Sequence, residues 1–241
     1  LAGGARWATA SGRFRLETVV VKGTREAAIP EIQALVEEWM GRNILTIDLM
    51  AVERKVREHP WIGSPGWVRI QRRLPSSVLI TLKEREAGGL ALLDGAVWLL
   101  DTAGLPIDRY GPRYAHHDFP LVKGLEGFSR SRPEEAVRLK DALGRAVRVA
   151  RELKARDAVF YEQVSEIDVA QPHEVVLRLD DEEYDLRLSA EEPLRNLENY
   201  LVLRDRIAGS DSGAIEYVDL RWQDRVAVMP AADGPQRNGG E

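Results

Sequence analysis

The densest group of potential metal ligands in the sequence is His116-His117-Asp118. Imidazole and carboxylate together suit zinc or a similar divalent ion. Neighbouring residues on an extended chain point to opposite sides, however, so two adjacent histidines rarely share one ion. The cluster reads as a surface loop, and no metal ligand is assigned. Asp180-Asp181-Glu182-Glu183 could attract a cation, but it falls between two strand patterns and reads as a solvated hairpin tip. Asp101, Asp108 and Asp118 could supply a carboxylate pair for acid–base chemistry, yet nothing in the sequence sets their separation. A phosphate-cradling GxxxxGK followed by Ser or Thr, a GxGxxG turn, a GxSxG nucleophile elbow and an HExxH pair are all missing. No catalytic residue and no cofactor are expected, which favours a binding module over an enzyme.

Two other groups have the chemistry of contact surfaces. Arg69, Arg72 and Arg73 form a basic strand and turn. A solvated outer face is the ordinary reading and the preferred one; a docking surface for an acidic partner or anionic lipid heads is the sharper one. Near the C-terminus, Tyr217-Val218-Asp219-Leu220-Arg221-Trp222 ends one strand pattern and Arg225 to Met229 begins the last. Val226 and Val228 alternate with Ala227 and Met229, so both faces of that strand are apolar. A terminal strand often lies at a sheet edge, where a partner can add a strand of its own. Trp and Arg are also frequent interface anchors. Against this stands a core Trp222 with a structural Asp219–Arg221 pair, which alternation places on one face. The residues alone leave both readings open.

The elements that would position these groups follow from apolar spacing. Phe14 to Val21 reads as a strand broken by Gly23. Pro30 opens a helix with Ile32, Leu35, Val36, Trp39 and Met40 on one face, stopped by Gly41. Asp48 caps a second helix through Leu49, Val52 and Val56, closed by Pro60. Two alternating strands follow, carried by Val68 and Ile70 and by Val78, Ile80 and Leu82, with a turn at Leu74-Pro75-Ser76-Ser77. The remainder alternates short strands with two helices. Strands are expected at 90–93, 97–100, 105–107, 164–169, 174–179, 184–188, 214–220 and 225–229. Asp94-Gly95 is a hairpin signal. Ser131 with Glu134, and Ser189 with Glu192, have capping-box spacing ahead of the helices. The fold class is α+β, a small strand-helix-helix-strand-strand domain followed by a mainly antiparallel β domain with two or more helices. The expected domains are a linker at 1–13, domains at 14–86 and 87–230, and a disordered tail at 231–241.

Composition narrows the functional classes. The 241 residues carry 34 basic and 39 acidic side chains, a net charge of -5, which speaks against a nucleic-acid binder. Hydrophobic residues make up 44%, enough for a real core. There is no cysteine, so disulfides and thiolate metal sites are excluded. No apolar run is long enough to span a bilayer. The chain begins at Leu1, which reads as a mature or truncated piece.

In this order and spacing the chain resembles the FtsQ/DivIB family of bacterial cell-division proteins. The resemblance rests on Val19-Val20-Val21-Lys22-Gly23, Asn43 to Asp48, Pro60-Trp61-Ile62, Leu74 to Ile80 and Glu84-Arg85-Glu86. The second half adds Trp98-Leu99-Leu100-Asp101 with Gly104, Phe119 to Gly124 and Val218-Asp219-Leu220-Arg221. The loop Gly63-Ser64-Pro65-Gly66 and the pair Gly88-Gly89 depart from the family pattern. The resemblance implies a POTRA domain at 14–86 and a β domain at 87–230. It implies a non-catalytic divisome scaffold, anchored in the cytoplasmic membrane by a single helix absent from this chain, with this region extracytoplasmic at the division septum. It also implies FtsB-like and FtsL-like partners on the C-terminal strands, through Arg221, Trp222, Arg225, Val226 and Val228, and other divisome proteins as candidates for the POTRA domain. The alternatives are a POTRA-containing adaptor of outer-membrane assembly or secretion, and a cell-envelope enzyme.

Overall fold

The computed structural model describes residues 12–126, 128, 132–209, 214–222 and 224–231. Most of the expected linker, the capping residue Ser131 and nearly all of the expected tail lie outside the described residues. The chain divides into two compact units, one ending at Glu86 and the other beginning at Ala87.

The first unit contains β1 (Thr18–Lys22), α1 (Ile29–Leu35), α2 (Leu49–Val56), β2 (Trp67–Arg73) and β3 (Ser77–Lys83). The strands lie in the order β1-β3-β2, with β1 parallel and β2 antiparallel to β3. Helices cover one face of this sheet. Ile32, Val36, Val52 and Val56 are buried together with Val78, Ile80 and Leu82. Asp48 caps α2 by accepting the Met50 N–H at 2.9 Å. Two expectations shift. The first strand starts later, because Gly12–Phe14 forms a tight helical turn. The first helix ends at Leu35 and tightens into a turn at Glu37–Trp39, which rotates Met40 off the buried face and leaves it 39% exposed. Gly41, with φ 75°, then reverses the chain.

Among the described residues, the second unit is a nine-stranded mixed sheet with three α-helices. Its elements are β4 (Ala87–Leu93), β5 (Ala96–Asp101), β6 (Pro106–Arg109), β7 (Leu121–Lys123), α3 (Pro133–Arg156), α4 (Ala158–Tyr161), β8 (Val164–Asp168), β9 (Glu174–Leu179), β10 (Asp185–Ser189), α5 (Leu197–Ala208), β11 (Ile215–Asp219) and β12 (Ala227–Pro230). The order across the sheet is β12-β11-β10-β9-β8-β7-β4-β5-β6. Antiparallel pairing predominates. Parallel pairs occur where β7 joins β4 and β8 and where β10 meets β11. The class is α+β, as the sequence indicates. Asp94 and Gly95 both take positive φ, 51° and 74°, which a two-residue hairpin of matching twist requires. The long helix α3 buries Leu139, Ala142, Leu143, Ala146, Ala150 and Leu153 against the sheet.

The carboxylates first considered for chemistry have structural duties. Asp101 is fully buried and its Oδ1 accepts the N–H groups of Ala103 and Leu105 at 2.9 and 2.8 Å, closing the β5–β6 turn. Asp108 accepts the Tyr114 hydroxyl at 2.8 Å. Glu182, expected to be solvated at a hairpin tip, is instead nearly buried and accepts from Arg204 Nε at 2.6 Å. The rings of His116 and His117 tilt against each other, with centroids 4.2 Å apart.

Candidate functional site

Strand β12 is the last strand of the large sheet, and no described strand pairs with its outer side. Its inner side is fixed to β11, with Val218 opposite Val228 and Asp219 opposite Ala227. An edge strand leaves alternate backbone N–H and C=O groups free to meet another chain. Val228 and Met229 are each 43% exposed, so the strand also offers apolar side chains. On the α5 side, Val226, Val228 and Pro230 line a groove of about 410 Å³ with Leu203, Ile207 and Ile215. An apolar groove beside an unpaired strand can receive a peptide that pairs through its backbone and sets side chains into the groove.

The segment before β12 is pinned from α5. Asn196 precedes that helix with φ 57°, and its Nδ2 donates to the carbonyls of Trp222, Leu220 and Arg225. Arg195 Nη1 donates to the Arg221 carbonyl at 3.3 Å. These contacts hold Trp222 in place with its side chain outward, and the residue is 52% exposed. The Arg225 guanidinium lies over its ring at 5.4 Å, within cation–π range, and also pairs with Asp224. Trp222 is therefore a surface residue, and the core alternative for it is set aside.

Arg221 is held more tightly. Its Nε donates to Asp219 Oδ1 at 2.9 Å and its Nη2 to Asp219 Oδ2 at 2.7 Å, while Nη1 reaches Glu174. Burial pushes the Asp219 carboxyl up, but the hydrogen bonds and charge of Arg221 outweigh that and hold it below its ordinary value. The Asp219 bond in turn raises Arg221. The Arg221 side chain remains 38% exposed, and its guanidinium has further N–H donors to spare. The structural pair and an outward-facing cation are thus the same side chain.

Asn196 has no place in the sequence reading, which set the helix start at Ser189. Ser189 Oγ accepts the N–H groups of Glu191 and Glu192 at 3.3 Å and caps only that turn. The missed signal is an Asn directly before Leu197, a residue type suited to helix starts and to left-handed backbone.

Family comparison agrees with both units. Residues 14–85 match the POTRA domain of FtsQ type, and residues 91–221 match the C-terminal domain of cell division protein FtsQ/DivIB. The chain belongs to the FtsQ/DivIB family. A cell division protein FtsQ of Myxococcus fulvus is 35% identical over 147 residues, covering 60% of this chain and 50% of the relative. One from an Anaeromyxobacter strain is 30% identical over 227 residues, covering 92% and 73%. One from Neisseria meningitidis serogroup B is 26% identical over 238 residues, covering 97% and 89%. The chain thus spans half the length of the Myxococcus relative. The FtsQ/DivIB C-terminal match ends at Arg221, so Trp222 and β12 lie beyond it. Among the described residues, no helix is long and apolar enough to cross a membrane.

Proposed function

We propose that this FtsQ/DivIB chain is a non-catalytic divisome scaffold that captures an FtsB-like partner, and with it an FtsL-like one, on strand β12. The observation that carries the reading is the open edge of β12 beside an apolar groove, with Trp222 exposed at its head. The partner segment adds a strand to β12 and sets apolar residues against Val226 and Val228. Arg225 and the spare donors of Arg221 receive its acidic side chains, and Trp222 covers the strand end. The full-length protein is anchored in the cytoplasmic membrane by a helix outside this chain, which places both units on the extracytoplasmic side of the septum. The POTRA unit is free to dock other divisome proteins.

The test is a calorimetric titration of the chain with a peptide from an FtsB-like protein. A charge-assisted Arg–carboxylate bond contributes roughly 1.5–3 kcal/mol, so Arg221→Glu should weaken binding more than tenfold. Val228→Asp, which places a charge at the strand edge without touching the core, should do the same. Unchanged affinity in both variants would remove β12 as the binding edge.

A further inference from the structure

Strand alternation gives the sheet of the first unit two unlike faces. Val19, Val21, Val78, Ile80 and Leu82 turn toward α1 and α2. Among the described residues of this unit no helix covers the other face, and the register places Lys22, Arg69, Arg73 and Lys83 on it, with Trp67 opposite Lys83. No carboxylate occupies a position on this face, and none occurs between Trp67 and Lys83 in the sequence. None of the four cations has an ion-pair partner among the described residues. This is a local excess of four positive charges on a chain whose net charge is -5. Arg72 is not part of it. Its Nε and Nη2 donate to the carbonyls of Ile44 and Ile47 at 2.7 and 2.5 Å, on the helix side.

We infer that this face docks on an anionic lipid surface. Lys22 and Arg69 stand two strands apart, about 10 Å, and Arg69 and Arg73 stand four residues apart, about 13 Å. Charges so spread over a pleated sheet do not form a fork for one carboxylate, but each can meet a separate headgroup. The apolar residues fit the same plane. Trp67 is 45% exposed at one end of β2, and Leu74 is 60% exposed in the turn at the other. An interfacial Trp and a Leu at opposite ends of a flat basic face can both enter the headgroup layer, while the Lys and Arg stems extend their charges to the phosphates.

The experiment is co-sedimentation of the full chain with phosphatidylglycerol–phosphatidylcholine vesicles and with phosphatidylcholine vesicles. The chain should pellet with the anionic vesicles only, and less at high salt. Each cation at the surface is worth about fivefold in partition, so Arg69→Gln/Arg73→Gln/Lys83→Gln should lower it about a hundredfold. The exposed α3 cations provide a control, and Arg138→Gln/Lys140→Gln/Arg151→Gln should leave partition within about twofold. Circular dichroism and melting establish that each variant is folded. If the triple variant is not, Arg69→Gln and Lys83→Gln separately carry the test at about fivefold each. The inference is overturned by failure to bind anionic vesicles, by equal binding to both vesicle types, or by equal losses in the face and control variants. Capture by soluble polyglutamate without capture by vesicles also overturns it, assigning the face to an acidic protein.

Discussion

Arg221 grips Asp219 through two parallel bonds, Nε to Oδ1 at 2.9 Å and Nη2 to Oδ2 at 2.7 Å, and reaches Glu174 with its remaining nitrogen. The side chains of Asp219 and Glu174 are only 8% and 13% exposed, so two nearly buried acids share this one cation close to the candidate edge. A residue in that position ties the end of β11 to β9 and offers charge outward at once.

Removing the cation should therefore cost stability as well as contact. Arg221→Ala leaves both carboxylates without their partner, and a loss of about 1–3 kcal/mol is expected in urea unfolding. The pH dependence should change too. The Asp219 carboxyl is depressed in the folded state, so its contribution is present above the unfolded value of about 3.9 and is lost as pH falls through the folded one. The variant should show a shallower loss of stability on acidification. Arg221→Glu gathers three carboxylates and should fall further.

Trp222 separates binding from folding. It is 52% exposed, its carbonyl accepts from Asn196, and its ring nitrogen adds a hydrogen bond that helps hold the Asp219 carboxyl low. Trp222→Ala loses that one bond and should cost no more than about 1 kcal/mol of stability, less than Arg221→Ala. Peptide titration should show at least about tenfold weaker binding, as expected for an interface Trp. A large loss of stability with intact affinity would contradict this division of roles.

Asn196 should matter for the opposite reason. Its amide serves three carbonyls of the segment before β12, and its φ of 57° is one that Asn tolerates better than Ala. Asn196→Ala loses the amide and adds backbone strain, and about 1–2 kcal/mol is expected from each loss of this kind. Asn196→Gly keeps the backbone and loses only the amide, so it should be the milder change. Hydrogen exchange at residues 220–225 should speed up in both.

The sequence makes the elements of the first unit readable because each of its strands and helices carries a full period of apolar residues. Val78, Ile80 and Leu82 alternate over seven strand residues, and Asp48 announces α2. β7 is not readable in this way. Leu121–Lys123 is too short to show a period, and its role comes from two distant parallel neighbours, β4 and β8. The candidate edge is half readable. Alternation on Val226 to Met229 indicates an apolar strand, but only the sheet order makes it an edge. Arg69, Arg72 and Arg73 look alike in sequence, and register alone sends Arg72 inward to two carbonyls.

Three tyrosines make the second unit sensitive to alkali. Burial raises Tyr200 and Tyr184, whose hydroxyls lie 3.2 Å apart, and raises Tyr161 to about 12, with a smaller push from Asp118. Each folded value exceeds the ordinary 10.0, so the unfolded chain gives up its protons first as pH rises. Stability should be undiminished below about pH 10 and should fall above it. Urea unfolding across that range measures the slope, and Tyr161→Phe should reduce it.

Two glycines that meet across the β5–β6 turn should respond in opposite senses to the same substitution. Gly104 has φ 78°, and a Cβ there would lie 2.6 Å from Gly144 N and 2.7 Å from the Leu143 carbonyl carbon, both α3 backbone. Neither atom can move without shifting the helix, so Gly104→Ala combines backbone strain with a clash and should cost more than about 2 kcal/mol. Gly144 lies inside α3, and its added Cβ would meet nothing closer than the Ala103 carbonyl oxygen at 3.6 Å, an ordinary contact. Gly144→Ala exchanges the most flexible residue for the best helix former and should stabilise by about 0.5–1 kcal/mol. Urea midpoints that move apart in this way would place the close approach at Gly104 alone. If both variants lose stability alike, the turn sits tighter on α3 than these distances allow.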